Sequence, residues 1–215
     1  MAIYSRWYPY QRLYLPWRRK RQVTAYVFAI KNHGKPLFIH INRTAGTSIA
    51  SALNVPQQHY TLAQFETLYE DVVKAPLPTT TIIVSAVRNP FGKVLSDYRY
   101  RKQTNQTNIV SANLDFNDWV VEVFERKNKD FRDREIMFLP QTKWLHSEQE
   151  YTIRIIRFEN LIEDFENVQK QFGGTSLPWK KRTQSQAYRN IYNNRSKQII
   201  ESVFEEDLNR FNYTF

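Results

Sequence analysis

Apolar and polar positions follow two rhythms along this chain. Compact runs of Val, Ile, Leu and Phe read as strands: Val23 to Ile30, Leu37 to Ile41, Thr81 to Val87 and Ile153 to Phe158. Between them, apolar residues recur three and four apart, which is helical spacing. Thr61 and Gln64 carry the capping-box pattern ahead of a helix bearing Leu62, Phe65, Leu68 and Val72, which Pro76 and Pro78 close. Pro90 suits the first turn of a helix bearing Phe91, Val94, Leu95 and Tyr98. Phe116, Trp119, Val120, Val123 and Phe124 form another stripe, and Leu161 to Phe172 a helix that Gly173 and Gly174 stop. A final helix shows Ile199, Ile200, Val203, Phe204, Leu208 and Phe211. Strands alternating with helices predict an α/β domain on a largely parallel sheet. There is no internal repeat and no linker, so the expected division is an N-terminal arm, 1–22, and one domain, 23–215.

Composition narrows the function classes. The 215 residues are 41% hydrophobic and 24% charged, which is globular composition and excludes a disordered chain. The absence of cysteine excludes a disulfide scaffold, a thiolate metal site and a cysteine nucleophile. No apolar run approaches the ~18 residues of a membrane span, and the N-terminus has no signal-peptide core. A cytoplasmic protein is therefore expected. Thirty-one Lys and Arg against 21 Asp and Glu leave a net charge of +10, which attracts anions without choosing among them. The arm sets Trp7, Tyr8, Tyr10, Tyr14 and Trp17 among Arg6, Arg12 and Arg18 to Arg21, with Pro9 and Pro16 breaking any long helix. It reads as an irregular arm packed by its aromatics, or as a patch touching an anionic membrane surface.

The strand Leu37 to Ile41 runs into a turn, Asn42 to Ser48, followed by a short helix through Ile49 and Leu53. Such a turn holds phosphate, because backbone N–H groups converge there and the helix dipole adds positive potential. Gly46 permits close backbone approach, Thr47 and Ser48 add hydroxyls, and Arg43 adds a fixed charge. The nucleotide-kinase loop is not present: Ile41 stands where its first glycine would be, and Thr47 where its lysine would be. On the next strand, Arg88 sits at the C-terminal end, where open α/β sheets bind ligands, and Ser96 lies on the following helix. Together they suit a second phosphate.

These segments resemble the sulfotransferases that use 3′-phosphoadenosine 5′-phosphosulfate (PAPS), most of all the carbohydrate branch of heparan and chondroitin type and its bacterial relatives. FIHINRTAGTSI (Phe38 to Ile49) resembles the family's 5′-phosphosulfate loop, and VRNPFGKVLSDYRYRK (Val87 to Lys102) its 3′-phosphate motif. RFENLIEDF (Arg157 to Phe165) and the segment Tyr188 to Tyr213 resemble later stretches. The resemblance implies a P-loop-NTPase-like three-layer sandwich with a central, mainly parallel sheet flanked by helices. It implies that Arg43, Thr44, Ala45, Gly46, Thr47 and Ser48 hold the 5′-phosphosulfate and that Arg88 and Ser96 hold the 3′-phosphate. Arg182 and Thr183 resemble the segment that closes over the nucleotide. Asn42 and Arg43 depart from the family's proline and lysine; arginine keeps the charge but replaces a point donor with a fork.

Sulfuryl transfer to an alcohol needs a base for the hydroxyl proton, and histidine titrates in the right range. Of His33, His40, His59 and His146, the resemblance favours His59, whose setting QHYTLAQF just before a helix is similar to that of the family's base. His40 reads as packing or supporting the site, His33 as a turn residue, and His146 as facing an acceptor. No acidic or histidine cluster has metal-ligand spacing, and the implied mechanism requires no metal. The expected co-substrate is PAPS, leaving as adenosine 3′,5′-bisphosphate (PAP), and the expected acceptor a hydroxyl, on a glycan. Nucleic acid is not the expected partner. Two other classes stay open: a kinase-like nucleotide transferase, and a non-catalytic basic module that binds anions through the arm.

Overall fold

A computed structural model describes residues 14–177 and 188–215. Its element order begins α1 (Leu15–His33), β1 (Leu37–Ile39), α2 (Gly46–Leu53), α3 (Leu62–Val73), β2 (Ile83–Val87) and α4 (Pro90–Gln103). It continues with α5 (Phe116–Val120), α6 (Gln141–Trp144), β3 (Ile153–Arg157), α7 (Leu161–Phe172), α8 (Asn194–Val203) and α9 (Glu205–Phe211). The three strands form one sheet in the order β1-β2-β3. Both pairings are parallel, with Phe38 opposite Val84 and Ser85 opposite Ile155. This is the α/β sandwich expected, a parallel sheet flanked by helices.

Strand character follows burial. Every residue of β1 and β2 is buried, which is why both are made almost wholly of apolar residues. In β3 the exposed Arg154 interrupts the apolar sequence, as befits the strand at one end of the order. Ser85, fully buried in β2, donates its hydroxyl to the carbonyl of Ile39 at 2.7 Å, tying β2 to β1 beside the ladder.

The N-terminal region differs from expectation. Val23 to Ile30 is not a strand but the second half of α1, and the boundary after Gln22 falls inside that helix. Its β-branched and aromatic residues carry strand propensity, yet Val23, Tyr26 and Ile30 also stand three and four apart and turn to one side, against α3. Tertiary contact decides such cases, because strand propensity is a weak and context-dependent preference. Pro16 lies in the first turn of this helix rather than breaking it, since the N–H groups of that turn have no partner within the helix. Gly34 ends it in the left-handed conformation, its N–H reaching back to the carbonyl of Ile30 and that of Lys35 to the carbonyl of Ala29. Arm residues 1–13 lie outside the described residues.

The capping box is present in both directions: Gln64 N donates to Thr61 Oγ1, and Thr61 N to Gln64 Oε1, each at 3.1 Å. Pro90 opens α4, with the Asn89 side chain accepting from Phe91 N at 3.1 Å. The terminal stripe is divided into α8 and α9, which meet at Phe204. Asp207 on α9 is fully buried and accepts from the backbone N–H groups of Gln141 and Thr142, at 2.7 and 2.8 Å. A charged acceptor on two orphan donors of a helix start is a strong local anchor, and it fixes α6 against the C-terminal helices. Among the described residues, no helix is long and apolar enough to cross a membrane.

Candidate active site

The three strand ends open on one edge of the sheet. β1 leads into His40 and the loop Asn42 to Ala45, β2 into Arg88 and Asn89, and β3 into Phe158 and Glu159. That edge is where parallel α/β sheets place their ligands.

The loop after β1 is held by strained backbone. Arg43 and Ala45 both take a φ of 65°, in the left-handed region that non-glycine residues avoid. Each such residue costs of order 1–3 kcal/mol, and such strain is characteristic of functional sites. Thr44 is fully buried, and its hydroxyl donates to the Ile41 carbonyl at 2.9 Å, so it braces the turn. Its side chain is therefore not turned to a ligand, although its backbone remains part of the loop. α2 then begins at Gly46 with no side chain capping it, leaving its first amide groups to face the loop. Gly46 is required for space: a Cβ there would stand 2.0 Å from Cδ2 of His40.

Arg43 crosses from the loop to α4. Its Nε and second terminal nitrogen donate to Ser96 Oγ at 3.2 and 3.1 Å, and the guanidinium lies 4.5 Å from the centre of the Tyr100 ring. Arg88 returns the connection, donating to the Arg43 carbonyl at 3.2 Å while its guanidinium stacks 3.9 Å from the Phe158 ring centre. The two sequence segments that suggested separate phosphate sites are thus joined by direct hydrogen bonds. Burial lowers the pKa of both arginines, that of Arg88 to about 10, with Glu159 offsetting part of the effect at Arg88 and Asp97 at Arg43. Both remain cations at neutral pH.

Gln141 gave no signal in the sequence, yet it holds Arg88 in place. Its side chain accepts from Arg88 N and donates to Arg88 O, both at 2.8 Å, and it also donates to Asp207. Tyr100 was likewise not singled out, since the pairing of its ring with Arg43 spans 57 residues of sequence.

His59 stands where two openings meet. One is a cleft of about 360 Å³ lined by His40, Asn42, Arg43, Thr47 and Tyr100. The other is a groove of about 410 Å³ lined by Arg18, Arg19, Gln57, Gln58 and Tyr60; His59 and Arg134 border both. His59 Nδ1 lies 2.8 Å from the carbonyl oxygen of His40. A carbonyl only accepts, so Nδ1 carries the proton, and in the neutral ring Nε2 keeps its lone pair. Burial lowers the His59 pKa; the bond to His40 opposes that, and Arg134 adds to the lowering.

A family model described as the sulfotransferase family matches residues 26–214. The chain belongs to the sulfotransferase family. Its class of reaction is sulfuryl transfer to a hydroxyl-bearing acceptor, and the match spans the strand and the helix that flank the loop and both candidate arginines. No curated protein and no solved structure matches this sulfotransferase. Of the residues expected to take part, Arg43, Ser96 and Arg88 are bonded together, and Arg43, Thr47 and His59 share the cleft. Ala45, Gly46 and Ser48 form the turn and the first residues of α2. Arg182 and Thr183 lie outside the described residues. His33 is exposed on the end of α1, and His146 is exposed and paired with Glu148 at 3.2 Å rather than turned to the cleft.

Proposed function

We propose that this sulfotransferase moves the sulfuryl group of PAPS to the hydroxyl of a carbohydrate, with His59 as the base. The observation that carries the reading is the tautomer of His59: its Nδ1–H is held by the His40 carbonyl, so Nε2 is the acceptor nitrogen where the cleft and the arginine-lined groove meet. The donor set fits an adenosine bisphosphate. An uncapped helix start, the hydroxyl of Thr47 and the guanidinium of Arg43 suit the 5′ end, and Arg88 with Ser96 suits the 3′-phosphate. Bound PAPS would supply an activated sulfuryl group and a stable leaving group.

The chain's residues then act in one in-line displacement, by analogy with phosphoryl transfer. The groove presents the acceptor hydroxyl, and His59 Nε2 takes its proton. The acceptor oxygen bonds to sulfur as the bond from sulfur to the phosphate oxygen breaks, and PAP departs with that electron pair. Arg43 and the α2 amides stabilise the charge developing on the leaving phosphate. One domain carries these roles, with Arg18 and Arg19 of α1 lining the groove.

Calorimetric titration with PAP is expected to show binding that weakens by at least about tenfold when adenosine 5′-phosphate replaces it, the value of a charge-assisted contact to one phosphate. A preference for ATP with magnesium over PAP would replace this reading with a kinase-like one, and binding of none would leave a basic anion-binding module.

Peripheral contact with an anionic membrane belongs to the same proposal. The outer face of α1 exposes Trp17 and Phe28, with Lys20 and Arg21 alongside. Flotation with phosphatidylserine vesicles is expected to carry the protein. Trp17→Ala combined with Phe28→Ala should abolish this, and equal flotation of the doubly substituted protein would remove the membrane from the proposal.

A further inference from the structure

Of the two histidines that line the cleft, His40 is the one without a chemical role so far, beyond the carbonyl it offers to His59. It follows β1 directly, is only 6% exposed, and yet lines the cleft. Its ring lies 4.3 Å from that of His59, centre to centre, and 5.8 Å from Phe38. The Nε2 edge faces the start of α2: a Cβ on Gly46 would come within 2.3 Å of that nitrogen. Its other nitrogen, Nδ1, is sealed from solvent and has no hydrogen-bond partner.

Chemistry decides where the proton sits. A neutral imidazole has one N–H, and a buried N–H without an acceptor is rarer in folded proteins than a buried acceptor without a donor. The proton therefore belongs on Nε2, the nitrogen beside Gly46 at the start of α2. Burial, with a smaller contribution from His59, pushes the His40 pKa down to about 3, so the ring stays neutral wherever His59 can serve as a base. A neutral N–H is thus fixed between the uncapped helix start and the base. If packing were its only task, an apolar ring would do it without stranding Nδ1.

We propose that His40 is a second catalytic histidine, whose Nε2–H donates a hydrogen bond to an oxygen of the sulfuryl group, in bound PAPS and through transfer. This rests on the PAPS reading above. His40 takes no proton from the acceptor. It stabilises charge on the oxygens around sulfur, while His59 removes the proton and Arg43 attends to the leaving phosphate.

The test compares the affinity for PAPS with that for PAP, by calorimetry, and so needs no acceptor. Gln places an amide N–H near the position of the imidazole Nε2, whereas Asn places it near Nδ1. His40→Gln is expected to keep the wild-type ratio of PAPS to PAP affinity. His40→Asn is expected to lower that ratio about tenfold, the value of one hydrogen bond to a charged group, and to leave PAP affinity unchanged. His40→Phe, which keeps a ring without the donor, should behave as Asn does, and serves if the Asn protein does not fold. The His59 imidazole shifts, followed by NMR against pH, separate donation from mere support, because a supporting role would move them in step with affinity. Wild-type protein that binds neither nucleotide would overturn the PAPS reading itself. Wild-type binding of both, with an unchanged ratio in His40→Asn or His40→Phe, would overturn the role of His40 alone.

Discussion

Replacing His59 with asparagine is expected to reduce PAP release in the presence of acceptor by about 10²- to 10⁴-fold, the range for loss of a general base. Asparagine can keep an N–H aimed at the His40 carbonyl while removing the basic nitrogen, so the local bond at 2.8 Å has a replacement. PAP affinity should change little, because His59 is not among the groups assigned to the phosphates. The pH profile of the wild-type rate gives a second reading of the same residue. Burial and Arg134 lower the His59 pKa, so the neutral, competent form persists below the ordinary histidine value of about 6.5. The rate should therefore rise with pH through a midpoint below that value and then level off. Activity in His59→Asn within a few-fold of wild type would assign the base elsewhere.

Arg88→Ala should have the second large effect, on binding rather than on turnover. PAP affinity is expected to fall about 10²-fold, consistent with losing a charge-assisted pair to phosphate. Adenosine 5′-phosphate, which lacks the 3′-phosphate, should bind almost as before. The residue also has structural duties, since it donates to the Arg43 carbonyl and stacks on Phe158. Arg88→Lys separates the two: it keeps the charge and loses the fork, so PAP should retain part of its advantage. Equal weakening of both nucleotides in Arg88→Ala would mean that the residue supports the loop and does not recognise the 3′-phosphate.

The legibility of this site in the sequence varied with the range of the interactions involved. The capping box at Thr61 and Gln64, the proline opening α4 and the end of α7 at Gly173 depend on residues within a turn of one another, and each was readable. The loop Asn42 to Ser48 was readable because a strand, a small-residue turn and a helix are contiguous. The N-terminal helix was not readable because Val23 to Ile30 satisfies strand propensity and helical spacing at once, and contact with α3 chooses between them. The direction of the Thr44 hydroxyl was not readable, because it depends on the local fold of the turn, where it bonds to Ile41. Gln141 carried no signal because its partners, Arg88 and Asp207, lie 53 and 66 residues away.

The sequence by itself determined the class of the fold, through runs of apolar residues long enough for buried strands and stripes spaced for helices. It also determined the chemical inventory: an anion-binding turn, two arginines, a serine and a small set of histidines, with no cysteine among them. The tertiary structure decided which of these groups meet. It joined Arg43 to Ser96 and Arg88 across α4, set His59 between two openings, and held its Nδ1 proton on the His40 carbonyl. The physical reason is directional. Hydrophobic burial is nearly non-directional and leaves a periodic trace along the chain, whereas a hydrogen bond acts over about 3 Å between atoms whose separation in sequence has no rule.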